Sequence, residues 1–259
     1  MISLSINNGV AEVVLDAPYK LNSLNEQALA ELAQAYDDAA AAASRGEVRA
    51  LLLRGEGRAF CAGRDISGVT PENDDAAAYV SGLVQPLLQK MSQFPAPTFA
   101  AAHGACLGVG LGLLLATDVV YVAENAKFGS PFAKLGATLD SGGHWYFTER
   151  LGMHRTLDLI YTAELMSGAD AVAQGMFSRA MPAAELLENA RAIVARAATG
   201  ATGAFNASKE LVAHIRDQRL GLWESMEEEN AEQARLCKTE DYAEGFLAFQ
   251  EKRKPVFKG

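Results

Sequence analysis

Apolar and polar residues alternate along 2–6 and 10–15 on either side of Asn7-Asn8-Gly9, and a period of two broken by an Asn/Gly turn predicts a β-hairpin. Beyond Pro18 the period changes. Ser23 and Glu26 sit three apart like a capping box, Leu29, Leu32 and Tyr36 share one helical face, and Gly46 supplies the stop. Residues 48–54 form an apolar run closed by Gly55-Glu56-Gly57, as expected of a buried strand, and a glycine-marked turn over 61–65 follows. The polar, turn-rich stretch 70–76 reads as a mobile surface loop. A helical stretch then runs to Met91, and 98–102 reads as another buried strand entering a glycine-rich turn, 103–110. A helix over 111–116 and a strand over 118–122 come next. Strands and helices thus alternate through the first half, which predicts a mostly parallel α/β core. Beyond Gly142 apolar residues recur at helical spacing over 145–163, 184–198, 204–216, 220–236 and 242–251, so a helical extension is expected, without a linker or a solenoid repeat.

Composition narrows the function classes. Of 259 residues, 49% are hydrophobic and 21% charged, the balance of a folded chain with a sizeable core. The longest uncharged apolar stretch, 105–117, is shorter than the roughly 20 residues of a membrane helix and holds three glycines, so no membrane span is expected. A net charge of −9 argues against nucleic acid as a partner, because tracking a phosphate backbone needs clustered Lys and Arg. The opening Met-Ile-Ser-Leu-Ser-Ile has no basic segment ahead of an apolar one, and a cytoplasmic location is expected. Cys61, Cys106 and Cys237 are too few and too scattered for a disulfide framework or a zinc site, so no metal is expected.

Two segments share one design: 60–65 and 103–110 each carry a buried strand into a small-residue turn whose next backbone N–H groups are free. At the second, the following helix leaves its first N–H groups without partners and adds a positive dipole end. Side by side, two such turns would cradle an oxyanion or a phosphate. The competing reading is that the glycines only permit tight packing. Neither segment is a phosphate loop or a dinucleotide fingerprint, since the Lys-Ser/Thr ending is missing and the acidic residue is unplaced.

Four stretches in order, Ala17-Pro18-Tyr19-Lys20-Leu21-Asn22-Ser23-Leu24, Ala59-Phe60-Cys61-Ala62-Gly63-Arg64-Asp65-Ile66, His103-Gly104-Ala105-Cys106-Leu107-Gly108-Val109-Gly110 and Lys127-Phe128-Gly129-Ser130-Pro131 with Leu135-Gly136 and Gly142-Gly143, resemble the enoyl-CoA hydratase/isomerase, or crotonase, superfamily over essentially the whole chain. The resemblance implies an α/β fold with a ββα spiral core over 1–195 and a helical C-terminal trimerisation region over 196–259, assembled as a homotrimer or homohexamer. It implies an acyl-CoA thioester substrate, with coenzyme A arriving as part of the substrate and no cofactor bound permanently. By position, the thioester carbonyl would lie between the amides of Arg64, just after Gly63, and Val109, just after Gly108. Backbone donors are in place before charge develops, and each is worth about 10²–10³ in rate. The Arg64 side chain itself is expected to be a plain surface charge. Coenzyme A contacts are implied at Ala62, Gly63, Asp65, Ile66 and Gly108, with Lys20 approaching the phosphates and Phe257 and Lys258 reaching a neighbour's ligand. The acidic run 227–229 reads as a solvated helix face.

The departure from the family pattern lies in the acids. Hydratases of this superfamily use two glutamates, and the aligned positions are Gly112 and Phe132, neither able to move a proton. Asp140 instead matches the catalytic aspartate of the ring-1,2-epoxyphenylacetyl-CoA isomerase group, whose Phe-x-Lys-Leu-Gly-x-x-Pro-Asp-x-Gly-Gly stretch is similar to 132–143, with Leu139 in place of the proline. The competing role for Asp140 is a cap on the helix beginning near Gly142. Set among Phe132, Leu139 and Trp145 it would be partly desolvated and a better base near neutrality, with Phe132 and Leu139 at the substrate. The resemblance therefore implies an isomerase that shifts a double bond, or opens an aromatic epoxide, through an enolate with an aspartate base. The alternatives are an enoyl-CoA hydratase of fatty-acid or aromatic-acid degradation and a non-catalytic acyl-CoA-binding protein. A dehalogenase relative with an aligned aspartate also needs a histidine base, and none of His103, His144, His154 and His214 falls at that position. His103 reads as structural, and His144 as an auxiliary group or a packing residue.

Overall fold

The computed structural model describes residues 1–70 and 72–259. The hairpin forms as expected: β1 (Ile2–Asn7) and β2 (Val10–Leu15) pair antiparallel through a turn in which Asn8 and Gly9 both take positive φ. Helix α1 (Glu26–Ser44) buries Ala28, Leu29, Leu32, Ala35, Tyr36 and Ala39 on one stripe. Its cap differs from the expected Ser23–Glu26 box. Leu24 is held extended by bonds from its N–H to the Gly63 carbonyl (2.8 Å) and from the Asp65 N–H to its own carbonyl (2.9 Å). The helix therefore starts two residues later, and the Asn25 side chain caps it by accepting from the Ala28 N–H at 2.9 Å.

β3 (Ala50–Gly55) is buried on both faces, the pattern of an inner parallel strand. The helical stretch before Phe94 is a π-helical segment, Ala78–Val84, continuing into α2 (Gln85–Ser92). The stretch 70–76, expected to be a mobile loop, includes Pro71, which lies outside the described residues. β4 and β6 of the main sheet each hand the chain to a short strand of a second sheet. Thus β4 (Thr98–Ala102) leads to β5 (Ala105–Leu107) and, after α3 (Val109–Leu115), β6 (Val119–Ala123) leads to β7 (Lys127–Gly129). Gly104 turns the first of these corners, where a Cβ would lie 2.1 Å from the Arg58 carbonyl oxygen. The chain then runs through a 3₁₀ turn (Phe132–Leu135), α4 (Gly143–Thr162), β8 (Met166–Ser167), α5 (Gly168–Ala173) and β9 (Arg179–Met181).

Among the described residues, the main sheet has the order β1-β2-β3-β4-β6-β9, parallel except for β1 with β2, and the second has the order β5-β7-β8. This is the expected mostly parallel α/β core, arranged as a ββα spiral. Helix α6 (Leu186–Ala197) crosses residue 195 and packs on β3, β4 and β6. The change to helices that leave the sheet accordingly falls between α6 and α7 (Thr202–Gln218). α8 (Leu222–Leu236) and α9 (Glu240–Gln250) complete the extension, and α8 buries only Ser225. No helix of the described residues is long and apolar enough to cross a membrane.

Candidate active site

The two glycine turns meet. The segment leaving β3 runs alongside the β4–β5 corner through Phe60 N–H to the His103 carbonyl (2.7 Å), Cys61 N–H to Ala105 (3.0 Å) and Leu107 N–H to Cys61 (3.0 Å). Gly63 takes φ +103° and Gly108 φ +52°, and a Cβ built on either would lie 3.9 Å from the other's Cα. A side chain at Gly63 would also come within 3.0 Å of the Leu107 carbonyl oxygen. Glycine is required at both because the backbone is left-handed and the turns touch. The next amides, Arg64 and Val109, donate to no protein acceptor among the described residues, whereas their neighbours Asp65 and Gly108 donate to Leu24 (2.9 Å) and Gly129 (3.1 Å). Two free N–H groups on fixed, abutting turns form a cradle for a developing oxyanion. Cys61 closes the floor: its buried thiol, pushed up to about 12 by desolvation, is inert, and a Cβ on Gly110 would lie 2.8 Å from its sulfur.

The two positions that the resemblance aligns with hydratase glutamates carry no acid, and at Gly112 there is no room for one. A Cβ on Gly112 would be 2.5 Å from the Ser141 Cβ, so Ser141 already fills that space. At Phe132 the ring lies against Gly108, with Cζ 3.3 Å from a Cβ built there. Asp140 is the half-buried carboxyl beside them. Burial raises its pKa above the usual carboxylate range, against the opposing influence of the Ser141 hydroxyl, which donates to Oδ1 at 2.8 Å, and of the Arg64 charge. The Asp140 side chain does not cap α4: Gly142 is the N-cap residue, and it is the Asp140 backbone carbonyl that receives the Gly143 N–H (2.9 Å). An apolar cavity of about 360 Å³ opens beside Ser141 and Gly142, walled by Val80, Val84 and Leu88.

Several expected neighbours sit elsewhere. Trp145 is 41% exposed and meets the Tyr146 ring edge-on, so it does not desolvate Asp140. Leu139 is buried with Phe128, Phe147 and Met166, holding the Asp140 turn from below instead of facing substrate. His144 pairs with Thr138 (3.2 Å) and His103 with the Gly57 carbonyl (2.8 Å), which makes His103 the structural residue expected and leaves the His144 ring engaged with Thr138. Lys20 is not a free cation: its Nζ lies 2.9 Å from Asp65 Oδ2. The Asp65 carboxyl is held down to about 2 by bonds from Ser67 and then from Lys20. Ala62 is half-buried and donates to the Leu21 carbonyl (2.9 Å), while Ile66 is exposed at the rim. Arg64 is not a plain surface charge either, since its guanidinium lies 4.1 Å from the centre of the Tyr79 ring and 2.8 Å from Asp74.

Lys258 lies at the other end of the molecule. The Phe257 carbonyl accepts from Arg49, just before β3, whereas the Arg64 turn lies beyond the exit of β3, a strand of six residues spanning about 17–20 Å. Lys258 pairs with Glu240 and lines a cavity of about 870 Å³ with Phe257, Phe249 and Phe246 of the C-terminal region. Within one chain it does not meet the turns. Two contributors escaped sequence reasoning, Tyr79 and Ser141. Ser141 carries a signal only in three dimensions, a positive φ of 53° at a buried non-glycine position.

A sheet-to-sheet spiral carrying two abutting amide turns defines a protein of the crotonase-type fold. The family model described as enoyl-CoA hydratase/isomerase matches residues 5–259, and the chain belongs to that family. It is 35% identical to a Rhodobacter capsulatus protein described as "probable enoyl-CoA hydratase", over 100% of this chain and 98% of that one. It is 30% identical to the 1,2-epoxyphenylacetyl-CoA isomerase of Escherichia coli, over 98% of this chain and 97% of that one. Among solved structures, an enoyl-CoA hydratase from Bacillus anthracis superposes with a TM-score of 0.90 at 29% identity, covering 100% of this chain and 99% of that one.

Proposed function

We propose that this chain is an acyl-CoA thioester isomerase that shifts a double bond through an enolate. Its oxyanion donors are the Arg64 and Val109 amides, and its one base is Asp140. The observation that carries this reading is the pairing of Gly112, whose side-chain space Ser141 occupies, with a half-buried Asp140 carboxyl. In a 3-enoyl thioester, Asp140 takes a proton from C2, the electron pair moves onto the thioester oxygen between the two amides, and the same carboxyl returns the proton to C4, leaving a 2-enoyl thioester. One carboxyl suffices for that transfer, whereas water addition in this family uses two acids. The acyl group is seated toward the cavity beside Ser141. Coenzyme A comes with the substrate, its backbone contacts at Ala62, Gly63, Asp65, Ile66 and Gly108. Exposed Leu222, Trp223 and Phe249 on the C-terminal helices, with Val256 in the tail beyond them, support assembly of copies into a trimer or hexamer, which would also bring Lys258 to a neighbour.

Opening of an aromatic epoxide is the second reading, favoured by the similarity to the Escherichia coli isomerase. The test is a panel of 2-enoyl, 3-enoyl and epoxyphenylacetyl thioesters offered to the wild type and to Asp140→Asn, with migration, hydration and ring expansion monitored separately. Migration or ring expansion lost in Asp140→Asn is expected. Hydration that survives the substitution would overturn the mechanism, and binding without conversion of any thioester would make the chain an acyl-CoA-binding protein.

A further inference from the structure

The cavity beside Ser141 does not end there. It shares Ser92, Ala116 and Tyr146 with a second cavity of about 560 Å³, so the two form one channel. The near end is tied to Asp140, whose Oδ1 accepts from the Ser141 hydroxyl at 2.8 Å. The far end is bordered by α7, which turns Phe205, Lys209, Val212 and Arg216 to the second cavity and buries only Thr202 and Ala207. Polar ties hold the helix there: Lys209 Nζ lies 2.9 Å from Asp118 Oδ2 and donates to the Phe94 carbonyl (3.0 Å), and Asn206 donates to the Pro95 carbonyl (2.9 Å). The charges at this end do not cancel. Asp118 is taken by Lys209, and Arg216 by Asp217 (2.7 Å). Arg150, on the wall of the same cavity, pairs with no carboxylate among the described residues: one N–H donates to the Met176 carbonyl, and the guanidinium lies 5.4 Å from the centre of the Tyr146 ring. A guanidinium has five donors in a flat fork that matches a carboxylate, and most of this fork is unused. From Gly143, beside the near end, to Arg150 the α4 axis covers about 10 Å at 1.5 Å per residue.

We propose that this channel selects acyl groups that end in a carboxylate, with Arg150 as the residue that binds the far carboxylate; this rests on the acyl group being seated beside Ser141. Val84 and Leu88 in the first cavity and Leu115 and Phe99 in the second give the methylene chain apolar walls. Their burial adds affinity in proportion to area, whatever the end group is. The end group decides the rest. A methyl end leaves the Arg150 fork unpaired, whereas a carboxylate accepts two parallel N–H bonds from it. A chain too short to cover the about 10 Å of α4 strands its charge against the apolar walls, at a desolvation cost. At sufficient length the carboxylate end is expected to bind about 10–100-fold more tightly than a methyl end, the range of a hydrogen bond to a charged group.

The experiment measures, by calorimetry, the binding of saturated acyl-CoA thioesters of increasing length, each with a methyl end and with a terminal carboxylate. The proteins are the full-length wild type, Arg150→Met, Arg150→Lys and Val212→Asp. Saturated chains have no double bond to shift, so this arm is independent of the reaction. The carboxylate series should overtake the methyl series once the chain spans the channel. That preference should vanish in Arg150→Met and persist in part in Arg150→Lys. It should also fall in Val212→Asp, which brings an acid into the same cavity from an exposed position of α7 and leaves the bond from Arg150 to Met176 in place. Equal binding of the two series by the wild type at every length overturns the proposal, as does a preference that survives both Arg150→Met and Val212→Asp. No preference in the wild type, together with a lower mass for Val212→Asp in light scattering, places a second copy in the cavity and likewise overturns it. The matching 3-enoyl thioesters are assayed for double-bond migration in parallel. An intact carboxylate preference without turnover overturns the isomerase reading alone.

Discussion

Replacing Gly108 with alanine tests the oxyanion cradle through the backbone alone. Gly108 has φ +52° and ψ −123°, a conformation an L-residue adopts at a cost of about 1–3 kcal/mol. Space is the smaller obstacle, since the nearest atom is the edge of the Phe132 ring at 3.3 Å, which can give by a few tenths of an ångström. The chain is therefore expected to relieve strain by rotating the 108–109 peptide, and that swings the Val109 N–H out of the cradle. Loss of one such donor corresponds to about 10²–10³ in kcat. Gly46→Ala is the matched control: φ is +75°, nothing lies within 4 Å of the added Cβ, and the site is the far end of α1. Both variants should lose about 1–3 kcal/mol in denaturant unfolding. Only Gly108→Ala should lose turnover, with KM changed far less than kcat. Gly108→Ala that is destabilised as expected yet retains wild-type kcat would refute the assignment of the Val109 amide as an oxyanion donor.

Three further outcomes follow from the structure. Gly112→Glu should unfold more readily than wild type by about 1–3 kcal/mol, because its Cβ meets the Ser141 Cβ, and Gly112→Glu/Ser141→Gly should recover that stability in thermal denaturation; a double variant no better than the single one contradicts the packing. Asp65 has a depressed folded-state pKa of about 2 against 3.8, so its contribution is present above about pH 4 and lost as pH falls toward 2; Asp65→Asn should flatten acid unfolding over that window. Light scattering of the purified chain should give the mass of three or six copies, and Trp223→Asp with Phe249→Asp should lower it, while a monomeric wild type would remove the proposed assembly.

The sequence made the long elements legible and the short ones not. Strand 98–102 and the five C-terminal helical stretches carry enough periodic residues to be read directly, whereas β7, β8 and β9 have two or three residues each and no period to detect. The shift of the α1 cap from Ser23 to Asn25 was hidden because it depends on Leu24 pairing with a turn 40 residues later. The glycines marked the two turns, and Gly112 with Phe132 marked the missing acids. What surrounds Asp140 was less accessible: Trp145 and Leu139 are near it in sequence, yet one faces solvent and the other the core. Tyr79 was unreadable for a further reason, since a π-helical turn shifts the faces on either side of it and no 3.6-residue pattern predicts which way it points.

The Leu24 carbonyl accepts from both the Asp65 N–H and the Tyr79 hydroxyl, so one oxygen fastens the Gly63–Arg64 turn to the segment whose next residues, Val80 and Val84, wall the cavity beside Ser141. Change in that wall is thereby transmitted to the turn that bears the Arg64 amide. With the proposed function, drift toward new acyl groups through that wall should be accompanied by compensating change at or around Leu24.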